Sequence, residues 1–547
     1  MSTEAGAPAE PLDVATQSLA RPAAVMAVGT ALSRLTGLGR VVAAAYALGV
    51  TESRLADSYN IANTLPNVVY ELILGGVLTS VFIPVVIEQL RTKDSDEAWR
   101  AVSAMVSTAL AVLAVLTLVT VAIAPFIIDL FTTRVSGAQA AQQHDLATFF
   151  LRVFAPQIAL YGFAAIAAGL LNAHGRFAVP MFVPILNNLV VIGAFLAFAA
   201  LSTGVPSNGS VNDDTGLKLL LGLGTTGGVL AMAAIYVPYL RSLPGRLRAR
   251  MDFRHPAVRK LARLSAWTLG YVVTNTIGFF ISFYLANGKQ GGVTAYVTAY
   301  AFFQLPIGIA GVSIMTALVP KLSAHFVDGD RQLFRARLSG GIATTAILLV
   351  PATAAYLVLG RPLIQALLEH GVVRSGSVDL VSSVLALFAI GLLPFSAYSI
   401  LMRAFYTRQD ARSPALINIA ENGVTIALDF ALFPSLGVKG LALAHTLGYV
   451  AGCAVAVARL RGPVGGLGGR ELARDLGKVT VAAAVCAGVM GAIVALTDSA
   501  MSAGDTRALV QLVVGGGAGL GAFLLAANAL KVRDLDVFKR LLPARFR

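Results

Sequence analysis

The 547-residue chain is 56% hydrophobic and only 13% charged, about half the charged share of roughly 25% found in soluble domains. That balance excludes a soluble enzyme and a disordered regulator. The formal net charge of +14 is spread between apolar stretches and not gathered in a polar domain with interleaved aromatics, which excludes a nucleic-acid binder.

Residues 1–22 are polar, carry Pro8, Glu10 and Pro11 and lack a cationic start, so they read as a disordered cytoplasmic tail and not as a signal peptide. Fourteen apolar segments follow, near 24–50, 57–88, 98–131, 145–172, 178–201, 217–240, 257–286, 293–324, 334–359, 378–406, 414–434, 436–458, 475–497 and 507–531. Each is long enough to cross a hydrocarbon core of roughly 30 Å, which predicts an all-α polytopic membrane protein. With the amino terminus inside, the inner loops and tails hold 30 of the 42 Lys and Arg residues, the outer loops 8 and the spans 4. The positive-inside rule then puts both termini in the cytoplasm. Cys453 and Cys486 sit singly in apolar stretches, which leaves them as packing residues outside any disulfide framework or metal site.

The strongest basic block contains Arg246, Arg248, Arg250, Arg254, Arg259 and Lys260 and reads as a topogenic loop touching anionic lipid. It divides the chain into an N-terminal lobe over 23–241, a linker over 242–256 and a C-terminal lobe over 257–460. Two further spans fall within 461–532, and 533–547 forms a basic cytoplasmic tail. The six-span halves echo one another. Pro180 and Asn188 match Pro414 and Asn422 at a constant offset of 234, after the short basic turns Asn172–Arg176 and Tyr406–Asp410. Leu65-Pro66 and Pro84 similarly echo Leu305-Pro306 and Pro320. Two pseudo-symmetric six-helix lobes about a central pathway, plus two C-terminal helices, are therefore expected. Pro66, Pro156, Pro184, Pro306 and Pro394 lie inside spans, where each removes a backbone hydrogen bond and permits bending.

Arg34 and Arg40 lie inside the first span, where a lipid-facing cation costs about 2.5–3.5 kcal/mol or more. Neither sheds its proton, so both are expected to face a wet cavity and an anionic partner; the guanidinium fork suits phosphate. Gly37 and Gly39 between them are expected to allow a bend that brings both to one cavity. Snorkelling, or pairing with Glu71, is the alternative. Arg152 and Arg403 are the other intramembrane cations, closer to span ends, and Arg152 is taken as a further substrate contact.

The eleventh span carries Asn418, Glu421, Asn422, Thr425 and Asp429 on one helical face, the seventh Tyr271, Thr274, Asn275 and Ser282, and the twelfth His445 and Thr446. These oxygen-rich groups suit a sodium ion or a proton relay through Glu421, or else serve as interhelical packing bonds. The chain has no P-loop, HExxH or GxSxG setting, so no catalytic residue and no certain metal ligand is assigned. An ion gradient or the membrane potential is left to drive transport.

The stretch Ser33–Arg40, with Ala56-Asp57, Leu65-Pro-Asn67 and Phe82-Ile-Pro84, resembles the amino-terminal signature of the MurJ (MviN) lipid II flippases. Leu171-Asn172, Gly175–Phe177, Pro180, Leu305-Pro306, Gly311-Val312, Pro320 and Phe405–Asp410 continue the resemblance in order. It implies a fold of the multidrug/oligosaccharidyl-lipid/polysaccharide exporter type, with the last two spans forming a groove for a polyprenyl tail. It also implies transfer of the lipid-linked peptidoglycan precursor from the inner to the outer leaflet of the bacterial cytoplasmic membrane. Arg34 and Arg40 occupy family positions that line a cationic cavity, and Asp57 matches a family acid. Some members bind sodium between the seventh, eleventh and twelfth spans, which marks Asn275, Asn418, Glu421, Asn422 and Thr446. The chain departs from the family in having Tyr70, Glu71 and Ala301 at positions that are often basic.

The expected activity is alternating-access flipping of lipid II, with membrane lipids and other cell-wall synthesis proteins as partners, no nucleic acid, and no cofactor beyond coupling to sodium or protons. An exporter of another polyprenyl-linked glycan or of drugs, and a non-transporting scaffold for envelope synthesis, are the competing readings.

Overall fold

The fold is given by a computed structural model that describes residues 13–71, 82–92, 94–408, 410, 412–533 and 535. The first half contains α1 (Asp13–Leu48), α2 (Leu55–Glu71), α3 (Ile83–Thr92), α4 (Ser95–Thr132), α5 (Ala138–Phe154), α6 (Pro156–Ala173), α7 (Ala178–Leu201), the short α8 (Asn208–Asp213) and α9 (Thr215–Arg241). The second half contains α10 (Pro256–Ala286), α11 (Gly292–Val327), α12 (Arg331–Leu368), α13 (Ser375–Ile390), α14 (Leu392–Thr407), α15 (Arg412–Leu436) and α16 (Val438–Val464). Then come α17 (Gly469–Ala500), α18 (Asp505–Val510), a π-helical turn (Gln511–Gly515) and α19 (Gly516–Ala529). Among the described residues every regular element is helical.

Nine helical stretches among these residues are long and apolar enough to cross a membrane, and α13 with α14, bent by 42°, makes a tenth. The other four expected positions are occupied by α1, by α2 with α3, by α10 and by α11. The 42° bend has a local cause. Pro394 has no N–H, and its ring crowds the carbonyl of Ile390, where α13 stops. By contrast Pro66, Pro184 and Pro306 stay inside continuous helices. One boundary is corrected: α1 begins at Asp13, so residues 13–22, expected in the disordered tail, are helical, as good helix formers such as Ala15, Gln17, Leu19 and Ala20 favour. Residues 1–12 lie outside the described part.

The two halves are built alike. In the first, α1 packs along α7 and α7 along α9; in the second, α10 packs along α15 and α15 along α16. The paired asparagines do the same work in each. Asn188 Nδ2 donates to Thr36 Oγ1 on α1 at 3.1 Å, and Asn422 Nδ2 donates to Asn275 Oδ1 on α10 at 3.0 Å. α17 and α19 pack on each other and on α12, outside the two lobes.

Burial is distributed unevenly between the two ends of the molecule. One core runs through both lobes and includes Leu48, Leu55, Phe150 and Phe195 from the first with Phe283, Tyr296, Phe303 and Phe388 from the second. Two other cores belong to one lobe each: Phe82, Trp99 and Leu170 in the first, Leu322, Phe334 and Phe405 in the second. The lobes thus share a core near the loops 49–54, 287–291 and 369–374, the closed end. They have separate cores at the opposite end, the basic end, where residues 242–255 run along α4 through Arg248 N–Ser103 Oγ and Arg250 N–Ser107 Oγ bonds of 3.1 Å.

The α15–α16 contact is tight enough to test. A Cβ on Gly448 would collide with Thr425 Oγ1, whereas one on Gly423, also on α15, meets nothing within 4 Å. Gly448→Val should destabilise the purified protein by about 1–3 kcal/mol, read as a lower melting temperature, and Gly423→Ala should leave it unchanged or slightly higher.

Candidate functional site

Arg34 stands on the face of α1 turned toward the other lobe. A Cβ on Gly308 of α11 would lie 2.5 Å from its Cζ and 2.6 Å from its Nη1, yet Arg34 remains exposed. An exposed side chain of one lobe thus rests on a glycine of the other. Arg40 is half-buried and points about 120° away around the helix. It acts coulombically on the hydroxyls of Tyr59 and Tyr161, the first of which meets Thr225 Oγ1 at 2.9 Å. Neither arginine is in an ion pair with a described acid. The side chains of Tyr70, Glu71 and Tyr271 lie outside the described residues.

α1 runs unbroken through Gly37 and Gly39, which face Asn188 and Ile192 of α7. A Cβ at either position would make only ordinary contact with α7, 3.7 Å from Asn188 Nδ2 and 3.5 Å from Ile192 Cδ1, and the two arginines diverge instead of converging through a bend. Arg152, in the last turn of α5, and Arg403, in α14, are both exposed and without an ion pair among the described residues.

The closed end is held by helix capping across the lobes. α11 begins after Gly291, which adopts φ +73° and has no side chain to cap with, and α13 begins after Arg374, which does not cap it either. Each helix leaves free N–H groups and a partial positive charge at that terminus. The first lobe supplies the missing carboxylates. Asp57, fully buried, accepts from Gly291 N at 2.7 Å, Thr294 N at 2.9 Å and Thr294 Oγ1 at 2.8 Å. Glu52 accepts from Arg374 N at 2.7 Å and Ser377 Oγ at 2.8 Å through one oxygen, and from its own loop, Val50 N and Thr51 N, through the other.

Arg54 adds a bond to Asn287 O at 2.9 Å; burial holds its guanidinium below its ordinary pKa, against the pull of Asp57. Asp57, expected among the substrate contacts, is committed to this closure in the conformation described. Glu52 was not singled out by sequence. The available signal was that α11 and α13 start without a capping residue of their own.

The polar stripe of α15 comes together as expected on the buried face: Asn418, Glu421, Asn422, Thr425 and Asp429 are all buried. Asn275 Oδ1 accepts from both Asn418 Nδ2 and Asn422 Nδ2 at 3.0 Å, Asn422 Nδ2 also reaches Glu421 Oε2 at 2.9 Å, and Thr425 Oγ1 donates to Glu421 at 3.2 Å. Ser282 Oγ donates to Asp429 at 2.6 Å. Asn418 Oδ1 and Asp429 Oδ1 are enclosed and lack a hydrogen-bond partner. Thr446 is not part of the group, since its hydroxyl donates to Leu387 O at 2.9 Å. Among the described residues no three His, Cys, Asp or Glu side chains converge as a metal cluster.

A family model described as lipid II flippase MurJ matches residues 44–515. The chain belongs to that family. A probable lipid II flippase MurJ of Rhizobium meliloti is 28% identical over 432 residues, 78% of each chain. The lipid II flippase MurJ of Burkholderia cenocepacia is 29% identical over 432 residues, 77% of this chain and 79% of that one. A lipid II flippase MurJ solved in an inward closed conformation has the same fold, with a TM-score of 0.73 at 20% identity, covering 92% of this chain and 99% of that one. A multidrug transporter of the MATE family and MOP superfamily, solved inward-facing, matches at TM-score 0.64 and 14% identity over 80% and 98%. The helical bundle is thus shared with that transporter over 80% of this chain.

Each carboxylate–amide bond at the closure is worth about 1.5–3 kcal/mol, so losing one shifts the closed–open balance roughly tenfold or more. Spin labels at the exposed Val205 and Lys439, one on each lobe at the closed end, should report a longer distance population in Asp57→Asn or Glu52→Gln than in the parent. Unchanged distances would show that the closure does not depend on these caps.

Proposed function

We propose that this protein moves lipid II, a polyprenyl-diphosphate-linked peptidoglycan precursor, from the inner to the outer leaflet of the bacterial cytoplasmic membrane by alternating access. The observation that carries the reading is Arg34: a permanent cation, exposed and unpaired with any described acid, at the junction of two lobes that share a core at one end. The excess of Lys and Arg at the opposite end supports a cytoplasmic location for that end. In this orientation the closure made by Asp57 and Glu52 faces outward, and the conformation is one that accepts a headgroup from inside.

The diphosphate takes up the Arg34 fork by charge-assisted hydrogen bonds, with Arg40 adding positive potential from the N-terminal lobe. The polyprenyl tail stays in lipid alongside α17 to α19. Release of the caps on α11 and α13 and closure of the basic end then expose the headgroup outside. Binding energy spent at Arg34 favours movement only if it differs between the two conformations. The Gly308 seat on the opposite lobe supplies such a difference, because the side chain must leave or slide on it when the lobes rock.

Coupling to an ion gradient is assigned to the α10–α15 cluster. Asn275, Asn418 and Glu421 offer only oxygen ligands, and Asn418 Oδ1 is an orphaned acceptor beside a carboxylate, a set that fits sodium or a relayed proton. A scaffold without transport gives no reason for an unpaired cation at the lobe junction, and a carrier of cationic drugs would favour an acidic cleft.

In proteoliposomes carrying fluorescent lipid II, Arg34→Ala should lower the transfer rate at least about tenfold at equal protein incorporation, and Arg40→Ala less. Full transfer by Arg34→Ala would remove the proposed headgroup contact. Glu421→Gln should abolish the dependence of transfer on an imposed sodium or proton gradient while leaving lipid II binding in place, measured by retention on immobilised protein.

A further inference from the structure

The turn Phe405–Asp410 takes no part in the lobe junction at Arg34, the closure or the polar cluster. It borders a separate cavity of about 300 Å³ at the basic end of the C-terminal lobe, lined by His325, Phe326, Asp330, Arg331, Phe334 and Arg408. Arg408 Nη1 is enclosed there and has no hydrogen-bond partner. Leaving a buried charged donor unsatisfied costs more than the roughly 1–3 kcal/mol of a neutral one. The nearby acids are already committed: Asp330 accepts from Leu333 N at 2.8 Å as the cap of α12, and Asp410 accepts from Ser413 N at 3.0 Å at the start of α15. Neither forms an ion pair with Arg408.

The internal repeat provides a comparison within the same molecule. At the offset of 234, Arg408 corresponds to His174; both follow the last residue of the helix that ends the fourth span of its lobe. His174 is fully provided for, with Nδ1 2.8 Å from Leu170 O and its ring stacked on Trp99 of α4. In the C-terminal lobe the buried aromatic in the first turn of α12 is the smaller Phe334, and open space remains beside Arg408. A satisfied ring in one lobe is thus replaced in the other by an unsatisfied cation over a cavity.

We propose that this cavity is an anion site that takes a phosphate group, distinct from the lobe junction at Arg34, with Arg408 as its anchor and Arg331 and His325 at its rim. The planar guanidinium fork matches two phosphate oxygens, and a phosphate supplies the acceptor that Nη1 lacks. The site lies where spans end, at the level of a bilayer's phosphate layer, and Phe326 provides an apolar wall. The phosphate therefore comes either from an anionic phospholipid headgroup or from a soluble phosphate.

The test uses the purified full chain, with phosphatidylglycerol adducts counted by native mass spectrometry and melting temperature followed with added inorganic phosphate. Retention of phosphatidylglycerol by the parent, weakened roughly tenfold in Arg408→Gln, supports the site with a lipid source. A phosphate-dependent rise in melting temperature, absent in Arg408→Gln, supports it with a soluble source. Without ligand, Arg408→Gln should melt no lower than the parent, because it removes an enclosed donor, Nη1 of a half-buried guanidinium, that has no hydrogen-bond partner. Arg331→Gln, exposed and safe for folding, should show a smaller loss of the same kind. If neither ligand distinguishes the parent from Arg408→Gln, or if Arg91→Gln, an exposed arginine at the basic end of the other lobe, loses as much, the site does not exist.

Discussion

Two helices of the C-terminal lobe have their first turns completed by carboxylates of the N-terminal lobe, and the rest of the architecture depends on that exchange. A helix start left without acceptors is costly in any environment, and more so at an interface that excludes water. Gly291 cannot cap α11, so Asp57 does; Arg374 does not cap α13, so Glu52 does. The junction is therefore strong when made and leaves defined vacancies when broken. These directional contacts lie beside an apolar core that the two lobes share at the same end.

The interior follows the logic of a solvent that is itself apolar. On α15 the residues turned inward include the amides and acids, while Leu416, Ile419, Val424 and Phe430 face outward. Apolar burial gives little net drive between helices in lipid, so close contact through glycine and interhelical hydrogen bonds hold the lobes together. Gly29 on α1, Gly448 on α16 and the Asn188 and Asn422 amides are instances in both lobes. The same rule gives Arg34 its meaning. Arg34 is an exposed cation that pairs with no described acid, and a cation at membrane depth is tolerated where it faces the interior of a bundle or a water-filled cavity.

The two lobes repeat one plan and then diverge where their tasks differ. The N-terminal lobe keeps its cations on the first helix, whereas the C-terminal lobe places buried carboxylates on α15 opposite Asn275 and Ser282. At the basic end, one lobe fills its turn with stacked His174 and Trp99, and the other leaves Arg408 over a cavity. Duplication fixes the frame, and single side chains assign it to different charges.

The all-helical membrane-spanning class and the polar face of α15 were legible from the chain because each rests on local quantities: the length of an apolar run and the period of a helix. That Arg34 and Arg40 share the first helix was equally legible, since both fall in one apolar run. Contacts between segments far apart in sequence were not. That Asp57 and Glu52 cap α11 and α13, that Arg34 and Arg40 diverge, and that Thr446 turns to Leu387 all depend on how distant segments pack. Sequence by itself thus determined a two-lobed helical membrane protein with cations in its first span. Only the tertiary structure decided which of its charges are bound and which remain available, because a hydrogen bond needs its donor and acceptor within about 3 Å, and no local pattern sets that distance between distant parts of the chain.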